Sequence, residues 1–323
     1  MAIEAGRPVP GLSLVSRASG SDGRFRPKPV EARFLFSEPG TWEAEDAPMS
    51  TVTRESAREH RVTIQTLARR KRQSAPFSML TAYDHTFARI FDAAGIEVLL
   101  VGDSLGNVVQ GRETTLPVTL DEVVYHTRMV ARGASRALVV GDMPFGSYQV
   151  SPEDAVRSAV RLMKDGGAHA VKLEGGEVAE EAIARITRAQ IPVMGHVGLT
   201  PQSVHAMGGF RVQGRTEASR DRVLRDARAV EAAGAFAVVL EGIPAELAAE
   251  ISGEISIPTI GIGAGPGCDG QVLVMHDMLG LGDWTPSFVK QYGNLGALAS
   301  QAARAFAEEV ANGKFPAEEH CYR

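Results

Sequence analysis

Short apolar runs alternate with amphipathic stretches along the chain from residue 77 onward. The runs are rich in Val, Ile and Leu without strict alternation, as is typical of parallel strands buried on both faces. Most strand starts are on the order of 30 residues apart, which is the usual scale of a strand–helix unit. Eight such runs favour a closed α/β barrel, (β/α)₈, over an open doubly wound sheet. The predicted strands are residues 77–82, 98–102, 137–140, 170–173, 192–195, 236–240, 259–263 and 272–275, the last with the weakest apolar pattern.

The stretches between these runs carry helix start and stop signals. Thr119 with Glu122 predicts a capping box, and Ser151 before a proline predicts an N-cap with proline in the first turn. We interpret Asp84 as the N-cap of the helix that follows strand 1. Residues 284–323 predict one or two extra helices after the barrel. Three glycines follow helical stretches and suit left-handed C-terminal caps: Gly95, Gly166 and Gly234.

The first sixty residues differ in composition from the rest of the chain. Prolines, glycines and charges are scattered over residues 7–48 with no sustained hydrophobic period, so residues 1–60 are predicted to be a disordered extension. Residues 61–323 are predicted to form a single barrel domain with its C-terminal helices. Met49 precedes a more ordinary start, and we hypothesise that it is the natural initiator. An intact mass of the native protein that includes residue 1 would refute this.

Composition narrows the class of protein. The 323 residues carry a net charge of −5, which argues against a nucleic-acid-binding protein, because such domains are usually basic. No apolar run reaches the roughly 18 residues of a membrane span, and the N-terminus has no signal-peptide pattern. The two cysteines, Cys268 and Cys321, lie far apart, so a disulfide framework is not expected. The prediction is a cytoplasmic protein that binds neither nucleic acid nor membrane.

Most of the predicted strands run directly into a polar or ionisable residue. In a barrel the C-terminal strand ends converge on one mouth, where active sites form. Carboxylates gathered there would raise one another's pKa values, and a bound divalent cation offsets their repulsion. A carboxylate set without cysteine favours Mg²⁺, or Mn²⁺, over zinc. Besides Asp84, the strand-end residues are Asp103 and Ser104 after strand 2, Asp142 after strand 3, Lys172 and Glu174 at strand 4, His196 at strand 5 and Glu241 at strand 6.

Each of these residues also has an ordinary structural interpretation. A single aspartate after a strand is commonly a helix N-cap. Lys172 would then be an ion-pair partner, His196 a hydrogen-bonded core histidine and Glu241 a cap of the following turn. The joint pattern at one barrel mouth, rather than any single residue, favours an active site.

Several long segments of the sequence match one family. The sequence resembles the ketopantoate hydroxymethyltransferases from roughly residue 63 to residue 320, in order and without large gaps. The resemblance implies a (β/α)₈ barrel of the phosphoenolpyruvate/pyruvate-like type. The matching segments are residues 81–84 (TAYD), 101–106 (VGDSLG), 115–119 (TLPVT), 171–176 (VKLEGG), 195–203 (GHVGLTPQS), 261–265 (GIGAG) and 274–277 (VMHD).

The resemblance also implies a reaction and residue roles. The family transfers a one-carbon unit from 5,10-methylenetetrahydrofolate to 3-methyl-2-oxobutanoate, giving 2-dehydropantoate for pantothenate and coenzyme A biosynthesis. By the same resemblance, Glu241 is the general base, and a homodecamer of two five-membered rings is expected, with the C-terminal helix joining subunits. The implied Mg²⁺ ligands are Asp103, Asp142 and Glu174, and the implied oxo-acid contacts are Asp103, Ser104, Asp142, Lys172 and His196.

A second enzyme class stays open at this point. Magnesium-dependent carbon–carbon lyases and mutases of the isocitrate lyase/phosphoenolpyruvate mutase type also bind an enolate at barrel strand ends. Many of these lyases use a cysteine in a loop, and neither Cys268 nor Cys321 follows a middle strand. A barrel that serves as an inactive scaffold is the other alternative, and the complete set of metal and base residues argues against it.

Overall fold

The computed structural model describes residues 61–322, and eight parallel strands close there into a barrel. The strands follow one another in chain order, and the last pairs with the first, so the predicted (β/α)₈ fold is confirmed. The predicted extension, residues 1–60, and the hypothesis about Met49 lie outside the described residues. The strands are β1 Phe77–Thr81, β2 Val98–Val101, β3 Leu138–Asp142, β4 Ala170–Lys172, β5 Val193–Gly198, β6 Ala237–Glu241, β7 Thr259–Ile262 and β8 Gly270–Leu273.

Three strands differ from the prediction by two or more residues at an end, and one of them, β3, continues to Asp142. β5 does not end at Gly195, as predicted, but continues through His196 to Gly198, because its residues stay in register with β6 to that point. β8 begins at Gly270 rather than at Val272. Gly270 pairs with Phe77 of β1, and a β-carbon at this position would lie 2.6 Å from the Phe77 ring. The strand therefore starts on a residue that a hydrophobic pattern does not mark.

Helices occupy most of the chain between the strands and continue after β8. None of the described helices has the length and apolar character needed to cross a bilayer. The last helix and a final turn form the predicted C-terminal extra helices. The helices are α1 Ile64–Arg72, α2 His85–Ala93, α3 Leu105–Val108, α4 Leu120–Gly133, α5 Pro152–Lys164, α6 Glu180–Arg188, α7 Val204–Met207, α8 Glu217–Ala232, α9 Ala245–Glu254, α10 Met275–Leu279 and α11 Leu295–Ala311, with 3₁₀ turns at Glu177–Ala179, Pro201–Ser203 and Glu318–His320.

The predicted N-caps are confirmed. The Glu122 carboxylate accepts a hydrogen bond from the Thr119 N–H at 2.7 Å, and the Thr119 hydroxyl accepts one from the Glu122 N–H, which completes a capping box for α4. Ser151 caps α5 ahead of the proline in its first turn. Asp84 caps α2 by accepting from the backbone N–H of the third helical residue. Each side chain satisfies a donor that the first helical turn leaves unpaired.

The predicted C-terminal glycine caps are correct in two cases of three. Gly95 and Gly234 adopt left-handed backbone conformations, with φ of +95° and +94°. The prediction for Gly166 is wrong, because the next residue, Gly167, takes the left-handed conformation with φ of +75°. Gly166 instead packs closely, since a β-carbon there would lie 2.6 Å from the Leu162 carbonyl oxygen.

Two apolar layers hold the barrel together. Val98 and Leu100 of β2 belong to a buried cluster inside the barrel, whereas Leu99 and Val101 pack outward with the helices. This division follows from the two-residue repeat of a strand. Leu67 of α1 joins the interior cluster, so α1 covers the barrel at the N-terminal ends of the strands.

Asp92 joins the last turn of α2 to the segment before β3. Its carboxylate accepts hydrogen bonds from the backbone N–H groups of Ser135, Arg136 and Ala137 at 2.6 to 3.2 Å. Asp92→Ala would leave these donors without their partner, so we expect the free energy of unfolding to fall by about 2 to 3 kcal/mol in urea denaturation. Asp121→Ala, at an exposed aspartate, should cost less than about 1 kcal/mol; equal losses in the two variants would contradict this interpretation.

Candidate active site

The strand repeat carries polar side chains into the barrel mouth. Asp142 was predicted to follow strand 3 but is the last residue of β3, two residues beyond the inward-facing Val140. Glu241 ends β6 two residues beyond Val239. Side chains two residues apart on a strand point to the same side of the sheet. Asp142 and Glu241 therefore point into the barrel mouth, as Val140 and Val239 point into the barrel. Together these groups line one cavity of about 150 Å³, whose walls include Asp103, Ser104, Asp142, Lys172, Glu174, His196 and Glu241.

Lys172 and Asp142 form a buried ion pair at this mouth. The Lys172 ammonium donates to the two Asp142 carboxylate oxygens at 2.8 and 2.9 Å. Burial alone would lower the pKa of Lys172, but the surrounding carboxylates outweigh burial and raise it above its usual value. Burial raises the pKa of Asp142, and Lys172 opposes that shift. The pair therefore presents a permanent positive charge beside a carboxylate held away from water.

Asp103 lies next to this pair and shares its environment. Its backbone N–H donates to Asp142 Oδ2 at 3.2 Å, and its own Oδ2 accepts from Gln202 Nε2 at 2.9 Å. Burial raises the pKa of Asp103 to about 7, and the charges of Asp142 and Glu174 add to the effect. Burial and the neighbouring carboxylates disfavour the ionised form of Asp103, and a bound cation would stabilise it.

His196 lies between two glutamates. Its Nδ1 is 3.3 Å from Glu174 Oε1 and its Nε2 is 3.2 Å from Glu241 Oε2. Burial and Lys172 would lower the pKa of His196, but the two carboxylates prevail and raise it to about 9. The Glu174 side chain is 2% exposed and the Glu241 side chain 20%, so Glu241 is the more accessible of the two glutamates. The imidazolium thus links a buried acid to an accessible one.

Ser104 also lines the cavity, at the start of α3. Its hydroxyl is 2.8 Å from the Tyr83 hydroxyl. Burial raises the pKa of Tyr83 above its usual range, so this phenol stays protonated. The Ser104 hydroxyl can occupy this position because residue 102 is a glycine; a β-carbon there would lie only 2.8 Å from Ser104 Oγ. Ser104 therefore presents a hydroxyl to the cavity from a rigid support.

The donor set fits a hard divalent cation. Asp103, Asp142 and Glu174 supply only oxygen, and Glu174 Oε1 is buried with no hydrogen bond beside its ion-pair contact with His196. Within residues 61–322, no three Asp, Glu, His or Cys side chains are close enough together to bind one metal ion directly. Asp142 instead contacts Lys172, and Asp103 contacts Gln202. Mg²⁺ suits such a spread set, since it usually keeps several waters and takes one or two carboxylates directly.

Asp84, the remaining strand-end acid, takes no part in the cavity. Its carboxylate caps α2, as the sequence interpretation held, and it is exposed. The cavity thus gathers the residues with predicted roles and leaves out the one interpreted as a cap.

Comparison with known sequences agrees with this arrangement. A sequence model of the family described as ketopantoate hydroxymethyltransferase matches residues 61–318. The chain belongs to this family. The match includes every residue that lines the cavity, so the resemblance predicted from the sequence segments is confirmed.

Individual relatives of this family are similar over nearly their whole length. The 3-methyl-2-oxobutanoate hydroxymethyltransferase of Magnetococcus marinus is 57% identical over 263 residues, which cover 81% of this chain and 98% of the relative. The enzymes of the same name from Mycobacterium bovis and Clostridioides difficile are 58% and 54% identical and are covered to 91% and 95%. The similar region is therefore the barrel and its C-terminal helices.

Solved structures show the relation of the fold to a wider group. A phosphonopyruvate hydrolase in complex with oxalate and Mg²⁺ superposes with a TM-score of 0.54 at 14% identity, covering 80% of this chain and 91% of that one. A 2,3-dimethylmalate lyase of the phosphoenolpyruvate mutase/isocitrate lyase superfamily gives 0.53 at 17% identity, covering 77% and 88%. At such identities the likeness shows the fold alone, and it confirms the predicted type of barrel.

Two buried residues behind the cavity carboxylates had no predicted role. Gln202 contacts both Asp103 and Glu174, and Tyr148 contacts Gln202 and the Glu174 backbone. Gln202 lies in one of the segments that match the family, but the sequence did not indicate a role for it. Tyr148 lies in none of these segments, and no spacing in the sequence points to it.

Proposed function

We propose that this chain is a 3-methyl-2-oxobutanoate hydroxymethyltransferase. In this reaction 3-methyl-2-oxobutanoate, 5,10-methylenetetrahydrofolate and water give 2-dehydropantoate and tetrahydrofolate. The observation that carries the proposal is the single cavity in which a buried lysine, a set of carboxylates and an accessible glutamate meet, in a chain of this family. The product would enter pantothenate and coenzyme A biosynthesis.

The difficult step is removal of a proton from the carbon beside the ketone. We assign Mg²⁺ to Asp103, Asp142 and Glu174, held directly or through water. When bound, Mg²⁺ supplies Lewis-acid stabilisation of the negative charge that develops at the keto oxygen. The excess of buried carboxylates over cations in this cluster supports the assignment.

Lys172 and Ser104 are assigned to the substrate carboxylate, with Asp103, Asp142 and His196 as further contacts. The Lys172 ammonium is buried and protonated, so it offers a fixed positive charge to an anionic substrate. The Ser104 hydroxyl, which also lines the cavity, offers a neutral hydrogen bond. Because the ammonium and the hydroxyl are already in place, they can hold the substrate carboxylate with little reorganisation of the protein during the reaction.

Glu241 is assigned as the general base that removes the C3 proton. Its side chain is partly exposed to the cavity, whereas Glu174 is enclosed, and a base must reach the substrate. His196 contacts Glu241 Oε2 and holds that carboxylate at the wall. The enolate carbon C3 then attacks the methylene carbon carried by the folate. Both C–N bonds of that methylene break, water supplies the hydroxyl of the new hydroxymethyl group, and the protons from C3 and from water go to the two folate nitrogens.

The test is an assay of the purified full chain with Mg²⁺, 3-methyl-2-oxobutanoate and 5,10-methylenetetrahydrofolate. Mass spectrometry should detect 2-dehydropantoate, formed in step with tetrahydrofolate and absent when either substrate is left out. Folate-independent cleavage of a 2-hydroxy or 2-oxo dicarboxylic acid would instead favour the lyase alternative. If the protein is folded and binds Mg²⁺ but consumes neither substrate, the proposed activity is wrong.

Binding of Mg²⁺ is expected to depend on pH through Asp103. A carboxyl with a pKa of about 7 is mostly protonated at pH 6 and ionised at pH 8, and the cation must displace that proton. The dissociation constant for Mg²⁺ should therefore be about tenfold larger at pH 6 than at pH 8. Calorimetric titration at the two pH values measures it, and equal affinities would contradict the environment assigned to Asp103.

The same shift predicts the sign of a stability change in the metal-free protein. Because the folded-state pKa of Asp103 lies above the unfolded value of 3.8, the folded protein binds more protons between these values. The contribution of Asp103 to stability therefore declines as the pH rises from about 4 through 7. Added Mg²⁺ should raise the melting temperature more at pH 8 than at pH 6.

We also propose a cytoplasmic homodecamer of two five-membered rings. The C-terminal helix α11 supports an assembly, because it has no buried residue and exposes Leu298, Phe306 and Val310. Apolar side chains left exposed on one helix commonly mark a contact with another subunit. Both cysteines are free, which suits a reducing compartment. Light scattering of the purified chain tests the subunit number.

A further inference from the structure

We propose that Gln202 and Tyr148 form a hydrogen-bonded relay that positions Asp103 and Glu174 for metal binding. The proposal rests on the assignment of Mg²⁺ to these carboxylates made above. Gln202 lies in the 3₁₀ turn after β5 and is 4% exposed, and Tyr148 lies in the loop after β3 and is 5% exposed. Neither residue is among those assigned to the metal or the substrate. Each instead contacts the groups that are.

The orientation of the Gln202 amide is determined by a neighbour that can only accept. Gln202 Nε2 lies 3.0 Å from the Met143 carbonyl oxygen and 2.9 Å from Asp103 Oδ2. Because a carbonyl oxygen only accepts, the NH₂ group faces this side, and its second hydrogen goes to Asp103. Gln202 Oε1 therefore faces the other way, toward the Tyr148 hydroxyl at 2.8 Å.

The orientation of the Tyr148 hydroxyl follows in the same way. The Glu174 backbone N–H can only donate, and it lies 3.1 Å from the Tyr148 oxygen. The hydroxyl accepts there, so its single proton is free for Gln202 Oε1, the nearer of its two acceptors. A directed chain thus runs from the Glu174 backbone through Tyr148 and Gln202 to the Asp103 carboxylate.

The backbone of Gln202 closes this chain of hydrogen bonds into a ring. The Gln202 N–H donates to Glu174 Oε2 at 3.0 Å. One residue therefore contacts both carboxylates, with its side chain on Asp103 and its main chain on Glu174. Since the ring is buried and every donor in it has an acceptor, neither carboxylate can rotate without breaking a hydrogen bond away from water. Groups that orient metal ligands in this way commonly change metal affinity 10- to 100-fold when removed.

A positioning role is distinguishable from a purely structural one. Gln202→Met keeps the length and the backbone N–H but removes both side-chain links, and Tyr148→Phe removes only the hydroxyl. Ser158→Ala is the matched control, because the Ser158 hydroxyl donates to the Ser147 carbonyl at 2.7 Å in the same loop as Tyr148 and touches no carboxylate. Gln149→Ala removes the other, exposed donor to Gln202 Oε1, at 3.2 Å.

The experiment is calorimetric titration of the full chain with Mg²⁺ at pH 8, together with melting temperatures of the metal-free proteins. The dissociation constant should rise about tenfold or more in Gln202→Met and rise less in Tyr148→Phe. Ser158→Ala and Gln149→Ala should stay within about twofold of wild type, even where the melting temperature of Ser158→Ala falls.

Unchanged Mg²⁺ affinity in folded Gln202→Met would overturn the relay, as would an equal rise in Ser158→Ala, because affinity would then follow stability alone. If Gln202→Met does not fold, Tyr148→Phe decides in its place, and wild-type affinity in that variant would overturn the proposal. A wild-type chain that binds no Mg²⁺ would remove the metal assignment itself, and that result is separate from a relay that fails in a metal-binding protein.

Discussion

Replacing Glu241 by glutamine is expected to slow exchange of the C3 hydrogen of 3-methyl-2-oxobutanoate with solvent deuterium by at least about 100-fold. The amide keeps the size of the side chain and can still contact His196 at the cavity wall. It cannot accept a proton from carbon, so the loss falls on proton removal rather than on binding. Proton NMR in deuterium oxide with Mg²⁺, and without folate, measures the exchange.

The same variant should keep its binding properties. Mg²⁺ affinity and oxo-acid affinity are expected to stay within a few-fold of wild type, because the groups assigned to them lie on other strands. Glu246→Gln, at an exposed glutamate in the first turn of α9, should exchange the hydrogen at the wild-type rate. Retained exchange in Glu241→Gln would refute its role as the base.

Replacing Asp142 by asparagine is expected to weaken Mg²⁺ binding by at least about 100-fold, as measured by calorimetry. The variant loses an anionic oxygen donor and leaves the Lys172 ammonium without its nearest counter-charge. It should also lose about 3 kcal/mol of unfolding free energy, because one charge of a buried pair remains unpaired. A lower stability alone would therefore not identify a metal ligand.

Lys172→Met separates the loss of a metal ligand from the loss of the buried ion pair. Both variants break the pair, but only Asp142→Asn is expected to weaken Mg²⁺ binding. Lys172→Met should lose similar stability. It leaves the Asp142 carboxylate in place and removes a competing cation, so Mg²⁺ should bind at least as tightly as in wild type. Asp84→Asn, at a strand-end aspartate that only caps a helix, should change neither property appreciably. Equal loss of Mg²⁺ binding in Asp142→Asn and Lys172→Met would contradict direct ligation by Asp142.

The strand repeat explains how much of this site was predictable from the sequence. Val140 and Asp142 belong to one inward-facing series, as do Val239 and Glu241, so a polar residue that continues an apolar strand must face the barrel mouth. The pattern that predicts the strands therefore also predicts which acids converge. It fails at Gly270, where β8 starts on a glycine because the Phe77 ring leaves no room for a side chain.

Contacts between separate loops were beyond the reach of such patterns. The pairing of Lys172 with Asp142 joins two strands whose relative register is set by the whole sheet. The Tyr148–Gln202 contact joins the loops after β3 and β5, which are 54 positions apart in the sequence. No local propensity encodes a hydrogen bond over that separation. The family segments marked Gln202 only as a position, and its two amide partners became apparent from the fold.

A crystal structure of the chain with Mg²⁺ and 3-methyl-2-oxobutanoate bound is the most direct test of the proposed mechanism. We predict one metal ion at Asp103, Asp142 and Glu174, with direct carboxylate ligands at about 2.0 to 2.1 Å and the others joined through water. The oxo acid should place its carboxylate near Lys172 and its C3 beside Glu241. A metal ion bound elsewhere, or an oxo acid whose C3 points away from Glu241, would contradict the account.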